Sequence, residues 1–266
     1  MPQPWKPTPF VKLSMLIHAV ALVVWLLAPG WWLWALGAVL INQILLTTAG
    51  LLPRTTLLGP NLNRLPAAAA QRREVALTID DGPDPLVTPR VLDLLDAAGA
   101  KASFFCIGRY AEQHPALCQE IVARGHSVEN HGDSHSWIFA LFGMGRMRAD
   151  ISAAQEKLAK ISGRPPQFFR PTAGLRNPLL DPVLSRLGLK LATWTRRPYD
   201  TSEGDPQVVY DRLVANLAAG DILLLHDGHA ALTPVGEPVI LAVLPRLLKL
   251  FAERRLNPVT LPAALK

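Results

Sequence analysis

A stretch of 41 residues near the start of the chain, positions 13–53, contains no Lys, Arg, Asp or Glu. Two apolar runs, residues 13–28 and 31–52, fill it, and the Pro29-Gly30 pair between them is a strong turn signal. At about 1.5 Å per residue a helix over the first run reaches roughly 24 Å, and the second run spans a ~30 Å membrane core. The sequence therefore predicts a membrane-anchoring helical hairpin over residues 1–52.

The charges that flank this hairpin predict its orientation. Lys6 and Lys12 precede it, Arg54 and Arg64 follow it, and the short loop between the two runs is uncharged. The positive-inside rule then predicts a bacterial-type inner-membrane protein whose remaining residues face the cytoplasm. Two alternatives stay open: a signal peptide or lone signal anchor that exports the rest of the chain, and two helices that lie in the interface without spanning it.

The composition of the whole chain excludes several classes of protein. Half of its 266 residues are hydrophobic and only 18% are charged, which excludes a disordered or fibrous protein. The chain has two cysteines, too few for a disulfide scaffold. The excess of 27 basic over 21 acidic side chains is not clustered among aromatic residues, so nucleic-acid binding is not supported. No obligate protein partner is indicated.

Residues 53–73, rich in Pro, Asn, Arg and Ala, are predicted to be a linker, and residues 74–266 alternate short β-rich runs with helical patterns. Such alternation predicts a parallel sheet. The fold class expected is α/β, a distorted (β/α)7-type barrel that is closed or nearly closed. The seven predicted strands are residues 74–79, 101–107, 127–129, 168–169, 189–194, 221–225 and 258–261.

The potentially reactive side chains lie at the C-terminal ends of these predicted strands. Singly, each has an ordinary explanation, such as a solvated turn for a pair of carboxylates or chance spacing for two histidines. Together they predict an enzyme, because a parallel barrel builds its active site from those strand ends. They are Asp80, Asp81, His131, His135, Arg170, Asp200 and His226.

The same residues fall within five ordered motifs. These motifs are residues 78–83, His131-x3-His135, Arg170-Pro171-x-x-Gly174, Trp194-x5-Asp200 and residues 223–227. They resemble the motifs of the polysaccharide deacetylase family (carbohydrate esterase family 4, the NodB-homology domain) over residues 74–261. The resemblance implies a catalytic domain at residues 74–266 that hydrolyses N-acyl groups, usually N-acetyl, on amino sugars. It also implies a divalent cofactor, Zn2+ or another cation such as Co2+, Mn2+ or Ni2+.

The resemblance also implies a role for each matching residue. Asp81, His131 and His135 are expected to ligate the metal, and Asp80 is expected to be the general base. His226 is expected to be the general acid. Arg170 matches the arginine that pairs with the base, and Asp200 matches the carboxylate behind the acid. The residues expected to bind substrate are Pro171, Thr172, Ala173, Gly174 and Trp137.

Two departures from the family pattern bear on the substrate. Ala173 replaces an aromatic residue, and Thr201 replaces a common tryptophan, so the groove loses sugar-stacking surface. The apolar residues 136–142 are either a lid or a surface that contacts lipid or a polyprenyl tail. His229 is interpreted as an exposed loop histidine.

These features favour a membrane-bound deacetylase of an amino sugar on a polyprenyl phosphate or a lipid A precursor. The alternatives are an exported, anchored deacetylase of peptidoglycan or an N-acetylglucosamine polymer, another small-acyl amidase, and a glycan-binding pseudoenzyme.

Overall fold

The computed structural model describes residues 4–266. Its helices are α1 (Pro9–Leu27), α2 (Trp32–Leu51), α3 (Ala67–Gln71), α4 (Thr88–Ala97), α5 (Gly108–Gln113), α6 (Pro115–Ala123), α7 (Met144–Ser162), α8 (Leu180–Leu187), α9 (Pro206–Val214), α10 (Val239–Glu253) and α11 (Leu261–Ala264). Its strands are β1 (Glu74–Asp80), β2 (Ser103–Cys106), β3 (Ser127–Asn130), β4 (Phe168–Phe169), β5 (Lys190–Leu191), β6 (Ile222–His226) and β7 (Asn257–Val259). Short 3-10 turns cover Pro29–Trp31, Phe139–Leu141 and Thr172–Gly174.

All seven strands pair in parallel within one sheet. The order is β5-β4-β3-β2-β1-β6, and β7 pairs with the first half of β1. Just beyond β5, Arg196 forms a single bridge with Leu223 of β6, so the two outer strands approach each other. The sheet is therefore curled into a half-barrel, and the predicted α/β, distorted-barrel fold is confirmed.

The two central strands show why the chain folds this way. Every residue of β1 and of β6 is buried. Strands buried on both faces read as nearly continuous apolar runs, which is the pattern of Ile222 through Leu225. The amphipathic α10 covers this sheet with eight buried residues, from Val239 to Phe251. Asp80 of β1 and His226 of β6 stand at the carboxyl ends of the two strands, where each strand meets its following loop.

The segment predicted as a linker is packed onto the sheet. Leu65 and Ala69 are buried in the apolar cluster below the strands, and Leu62 bridges Ala192 beyond β5. The alanine run forms α3, as expected from the high helix propensity of alanine. This segment therefore holds the chain against the barrel before β1 begins. The domain boundaries at 52 and 73 stay a prediction.

Helices α1 and α2 form an antiparallel pair joined by the turn Pro29–Trp31. Both are long and apolar enough to cross a membrane, and only 11% and 17% of their most hydrophobic windows are buried. The core helices of a soluble protein would instead be mostly buried inside the fold. A membrane anchor and a signal sequence both fit this finding.

Polar atoms meet between the two helices of the pair. The Asn42 side-chain amide donates to the Ser14 hydroxyl at 2.8 Å, and Gln43 Nε2 lies 3.0 Å from His18 Nε2. The contact of Asn42 with Ser14 is buried, so it satisfies two polar groups that are removed from solvent.

The end of the helix pair where α1 begins and α2 finishes contacts the barrel. The Arg176 N–H donates to the Gly50 carbonyl at 3.2 Å, and the Arg176 guanidinium donates to the Thr55 carbonyl at 2.6 Å. The indole N–H of Trp5 donates to Asp181 of α8 at 2.8 Å. Gly50 is required at this contact, because a Cβ there would overlap the carbonyl oxygen of Arg176.

Candidate active site

A cavity of about 320 Å³ opens at the carboxyl ends of the strands. Its wall contains most of the residues that the sequence nominates. Arg170 and Asp200 lie behind the wall with no exposed surface, and Pro171 is buried outside it. The nominated residues in the wall are Asp80, Asp81, His131, His135, Trp137, Thr172, Ala173, Gly174 and His226. The wall also includes Trp194, Arg197, Thr201, Ser202, Leu224 and His229.

One carboxylate is the centre of the predicted metal cluster. Oδ1 of Asp81 lies 3.1 Å from His131 Nε2 and 3.0 Å from His135 Nε2. Its other oxygen lies 3.2 Å from Nδ1 of His229. One ligand atom each from Asp81, His135 and His229 fall within 4.8 Å of one another. The structure therefore brings the three predicted ligands together and adds His229 to them.

The cluster fits a divalent cation on two counts. Metal–ligand bonds of about 2.0–2.2 Å put two ligands of one ion roughly 3–3.5 Å apart, close to the separations around Asp81 Oδ1. That oxygen is buried, yet it forms no hydrogen bond within residues 4–266. A buried carboxylate oxygen without a donor needs another positive partner. Two imidazoles and a carboxylate are also donors that Zn2+ accepts.

The tautomer of His131 suits metal binding. Its Nδ1 lies 2.7 Å from the carbonyl oxygen of Arg170. A carbonyl only accepts, so Nδ1 carries the hydrogen and Nε2 presents its lone pair to the cluster. Burial opposes ionisation of Asp81, but the close contacts of its carboxylate with the imidazoles of His131, His135 and His229 outweigh burial and hold its pKa well below the usual range.

Several residues of the site adopt left-handed backbone conformations. The φ angles are 74° at Asp81, 48° at His135, 56° at Ala173 and 56° at His229. Residues with side chains rarely adopt positive φ, and such strain concentrates at functional sites, where the surrounding fold maintains it. These residues belong to four different loops, and the turns bring the side chains of Asp81, His135 and His229 to one point.

The carboxylate next to the cluster, Asp80, is held by a buried arginine. Arg170 Nη1 donates to Asp80 Oδ1 at 2.5 Å and to the Thr78 hydroxyl at 3.0 Å. The remaining donors reach the carbonyls of Ala192 and Thr193 at 3.1 and 2.8 Å. Because every partner of Arg170 is fixed by a strand or strand end, Asp80 has one orientation and a compensating positive charge.

On the opposite side of the cavity, His226 forms a second charged pair. Its Nδ1 lies 2.8 Å from Oδ1 of Asp200, and its backbone N–H donates to Oδ2 of the same carboxylate at 2.8 Å. Nδ1 is therefore the donor to Asp200. Burial opposes the charge on His226, but Asp200 outweighs it and raises the pKa of the imidazole to about 9. At neutral pH His226 carries a proton that it can donate.

Six residues of the wall were not among the predicted site residues, and three of these, His229, Trp194 and Arg197, have aromatic or ionisable side chains. His229 was interpreted as an exposed loop histidine, and its side chain is half exposed, but it contacts Asp81. Its position in the loop directly after β6 was the available signal, because active-site residues of a parallel barrel lie in such loops. Trp194 keeps one aromatic ring in the cavity, and Arg197 lies over that ring at 5.0 Å.

The ends of the curled parallel sheet hold a carboxylate–histidine cluster and, apart from it, the buried proton donor His226. This combination is typical of hydrolases that use a divalent metal. A family model described as polysaccharide deacetylase matches residues 67–192. Relatives at 33–34% identity extend the match over most of their own length. The chain belongs to the polysaccharide deacetylase family, whose deacetylases are metal-dependent, and the predicted family and enzyme class are confirmed.

Three comparisons illustrate this membership. A peptidoglycan-N-acetylglucosamine deacetylase of Bacillus cereus is 33% identical over 58% of this chain and 72% of its own. A chitooligosaccharide deacetylase of Sinorhizobium fredii is 34% identical over 63% and 78%. A solved peptidoglycan N-acetylglucosamine deacetylase, in complex with 4-naphthalen-1-yl-N-oxidanyl-benzamide, matches with a TM-score of 0.69 at 28% identity, covering 77% of this chain and 92% of that chain.

Proposed function

We propose that this protein is a membrane-bound, metal-dependent N-deacetylase acting on an amino sugar attached to a lipid, either a polyprenyl phosphate or a lipid A precursor. The single observation that carries the lipid-linked substrate is the contact between the helix pair and the wall of the catalytic cavity. Gly50 accepts a hydrogen bond from Arg176, two residues beyond the lining residue Gly174. Pro53 packs so closely on Gly174 that a Cβ there would lie 2.9 Å from the proline ring. The cavity wall therefore lies next to the helix pair, which this proposal takes to be the membrane anchor.

A second apolar surface lies at the same cavity. Trp137, a lining residue, is 83% exposed, and its neighbours Ile138 and Leu141 are 52% and 81% exposed. Large exposed apolar groups next to a site mark contact with lipid or an apolar ligand. Together with the helix pair, they support a substrate that stays in the membrane while its sugar enters the cavity.

The proposed mechanism assigns one role to each group around the cavity. A divalent cation such as Zn2+, held by Asp81, His131 and His135, would polarise the acyl carbonyl and favour ionisation of water. Asp80 accepts the proton of the attacking water, and the hydrogen bond from Arg170 orients its carboxylate.

Collapse of the tetrahedral intermediate requires a proton on the departing nitrogen. His226 donates it, and Asp200 maintains the charge and tautomer of that histidine. Acetate and the free amine are the products. We place Thr172, Ala173, Gly174 and Trp137 against the sugar, with Pro171 shaping the turn behind them.

We propose a localisation from the charges around the helix pair. Lys6 precedes the pair, Lys12 lies in the first turn of α1, and Arg54 and Arg64 follow α2. The positive-inside rule then predicts that both ends face the cytoplasm from an inner membrane. A reporter fused after Lys266 tests this orientation. An enzymatic reporter that is active only in the cytoplasm is expected to be active, and resistance to protease in spheroplasts is expected.

The substrate is tested with the full chain, purified in detergent and loaded with Zn2+. We expect acetate release from polyprenyl-phosphate N-acetylhexosamine, measured by mass spectrometry, and no release by the variant Asp80→Asn. Good activity on chitin oligomers without any activity on the lipid-linked sugar would overturn the lipid-linked assignment. Sugar binding without metal or acyl release would indicate a pseudoenzyme, and preference for an N-formyl substrate a different small-acyl amidase.

A second candidate is an exported, anchored deacetylase of peptidoglycan or an N-acetylglucosamine polymer. The observation in its favour is that the relatives described above are named for peptidoglycan and chitooligosaccharides. This candidate predicts the opposite topology, with the fused reporter accessible to protease in spheroplasts.

A further inference from the structure

A second cavity, of about 450 Å³, adjoins the catalytic one. The two share His135, Trp137 and His229 as a common wall. The rings of His135 and His229 are stacked at 5.9 Å between centroids, so this partition is thin. We call this space the arginine cavity, because its own wall adds two arginines. Its remaining lining residues are Arg109, Ser134, Ser136, Ile138 and Arg146.

Aromatic rings hold both guanidinium groups. Arg109 lies 5.0 Å from the ring centroid of Tyr110, and Arg146 lies 3.7 Å from that of Phe142. Within residues 4–266 neither arginine forms an ion pair, whereas Arg90, Arg124 and other surface arginines do. Stacking on a ring orients a guanidinium without neutralising it. Two oriented cations therefore line this cavity with their charge available.

A buried hydroxyl group adds a third donor. The backbone N–H of Ser134 donates to Asp150 at 3.0 Å, which fixes the loop that carries it. Its side-chain oxygen is buried and has no hydrogen-bond partner among the described residues. A buried hydroxyl without a partner is unfavourable unless a ligand or a water supplies one.

From this geometry we infer that the arginine cavity binds a phosphate ester carried by the substrate sugar, while the N-acyl group occupies the neighbouring catalytic cavity. The inference rests on the proposed deacetylase function. A phosphate offers several acceptor oxygens to two guanidinium forks and a hydroxyl group. A neutral glycan has no group that needs two cations. The exposed Trp137, Ile138 and Leu141 beside this cavity are suited to the apolar chain of a lipid phosphate.

The test offers three substrates to the full-length protein in detergent and compares their kcat/KM. They are N-acetylglucosamine 1-phosphate, polyprenyl-phosphate N-acetylglucosamine and neutral diacetylchitobiose. The wild-type protein is expected to prefer both phosphorylated substrates in kcat/KM. Each of Arg109→Gln and Arg146→Gln is expected to lower that preference about tenfold, and the double variant about 100-fold. Arg148→Gln is the matched control. It removes an exposed arginine of α7 outside both cavity walls, and it should leave all three rates within twofold.

The outcomes separate this inference from the proposed function. Equal preference in the wild type and the double variant overturns the phosphate site, even if acetate is released. If no substrate is turned over, the proposed function fails, and calorimetry with glucosamine 1-phosphate against glucosamine still decides the phosphate site. Similar preference for the soluble and the lipid-linked phosphate assigns recognition to the phosphate alone, whereas a much higher kcat/KM for the lipid form adds a contribution of the apolar chain.

Discussion

The helix pair α1–α2 and the catalytic barrel both remove polar side chains from water, but they do so with different chemistry. Between α1 and α2 the paired groups are neutral, as in the contact of Asn42 with Ser14. In the barrel the paired groups are charged: Arg170 is fully buried against Asp80, and His226 lies against Asp200. Neutral pairs lose little on leaving water, whereas a buried ion pair needs a surrounding set of hydrogen bonds.

This difference explains why the charged catalytic groups lie in the barrel and not in the helix pair. The helix pair can face an apolar solvent because its one charged side chain, Lys12, lies in the first turn of α1, where it can reach the membrane surface. The barrel keeps ions out of water because strand-end carbonyls, such as those of Ala192 and Thr193, complete the partners of Arg170. Breaking a pair in each region measures the contrast directly.

The largest effect is expected from Arg170→Met. It leaves the buried carboxyl group of Asp80 without its partner, and breaking a buried pair typically destabilises a protein by about 3–5 kcal/mol. We expect a loss of that size in denaturant unfolding, together with loss of deacetylase activity. Arg148→Met, on the exposed face of α7, should change stability by less than about 0.5 kcal/mol. A similar small change for Arg170→Met would contradict the importance of the buried pair.

Asp200→Asn is expected to change the pH profile. His226 donates a proton only while it is protonated, so activity falls as the pH rises through its pKa, which Asp200 raises to about 9. Without that negative charge the pKa falls, and the alkaline limb of kcat should move to lower pH by about one unit or more, with kcat down about 10–100-fold. A bound divalent cation would lower the pH of the alkaline limb in the wild type and in the variant alike. The quantity to compare is therefore the difference in the pH of the limb between the two proteins. An unmoved limb would exclude His226 as the general acid.

The contact between the two regions is tested at a glycine. Gly50→Ala would place a methyl group against the Arg176 carbonyl and is expected to separate the helix pair from the cavity wall, at a cost of about 1–3 kcal/mol. We expect activity on the lipid-linked sugar to fall more than activity on a soluble one. Gly37→Ala, where a Cβ meets nothing within 4 Å, is the control and should be neutral or stabilising. Equal behaviour of the two variants would contradict the docking.

The smallest effect is expected from Asn42→Leu. The substitution removes the amide that donates to Ser14, and polar pairs between membrane helices average about 0.6 kcal/mol. We expect a thermal shift in detergent far below that of Arg170→Met. A comparable loss in both variants would show that the helix pair depends on its polar contacts as strongly as the barrel does.

Much of the fold could be predicted from local pattern. The apolar run before His226 and the end of β1 at Asp80 locate two central strands within a residue, because parallel strands buried on both faces are nearly continuous apolar runs. The strand β5 is shorter than residues 189–194 predicted, since the chain beyond Leu191 leaves β4 and crosses to β6 at Arg196. That crossing depends on how far the sheet curls, which no local pattern encodes.

The candidate site, like the fold, could be predicted from the sequence only in part. The side chains at the strand ends could be predicted from the sequence, because the alternation of strands and helices puts every carboxyl end on one face. Three arrangements follow only from the three-dimensional fold: the contact of His229 with Asp81, the presence of Arg109 and Arg146 in one cavity wall, and the contact of Gly50 with Arg176. These residues are far apart in the chain or follow loops with left-handed turns. Their meeting depends on the paths of several loops at once, and it is the packing of the whole barrel that selects those paths.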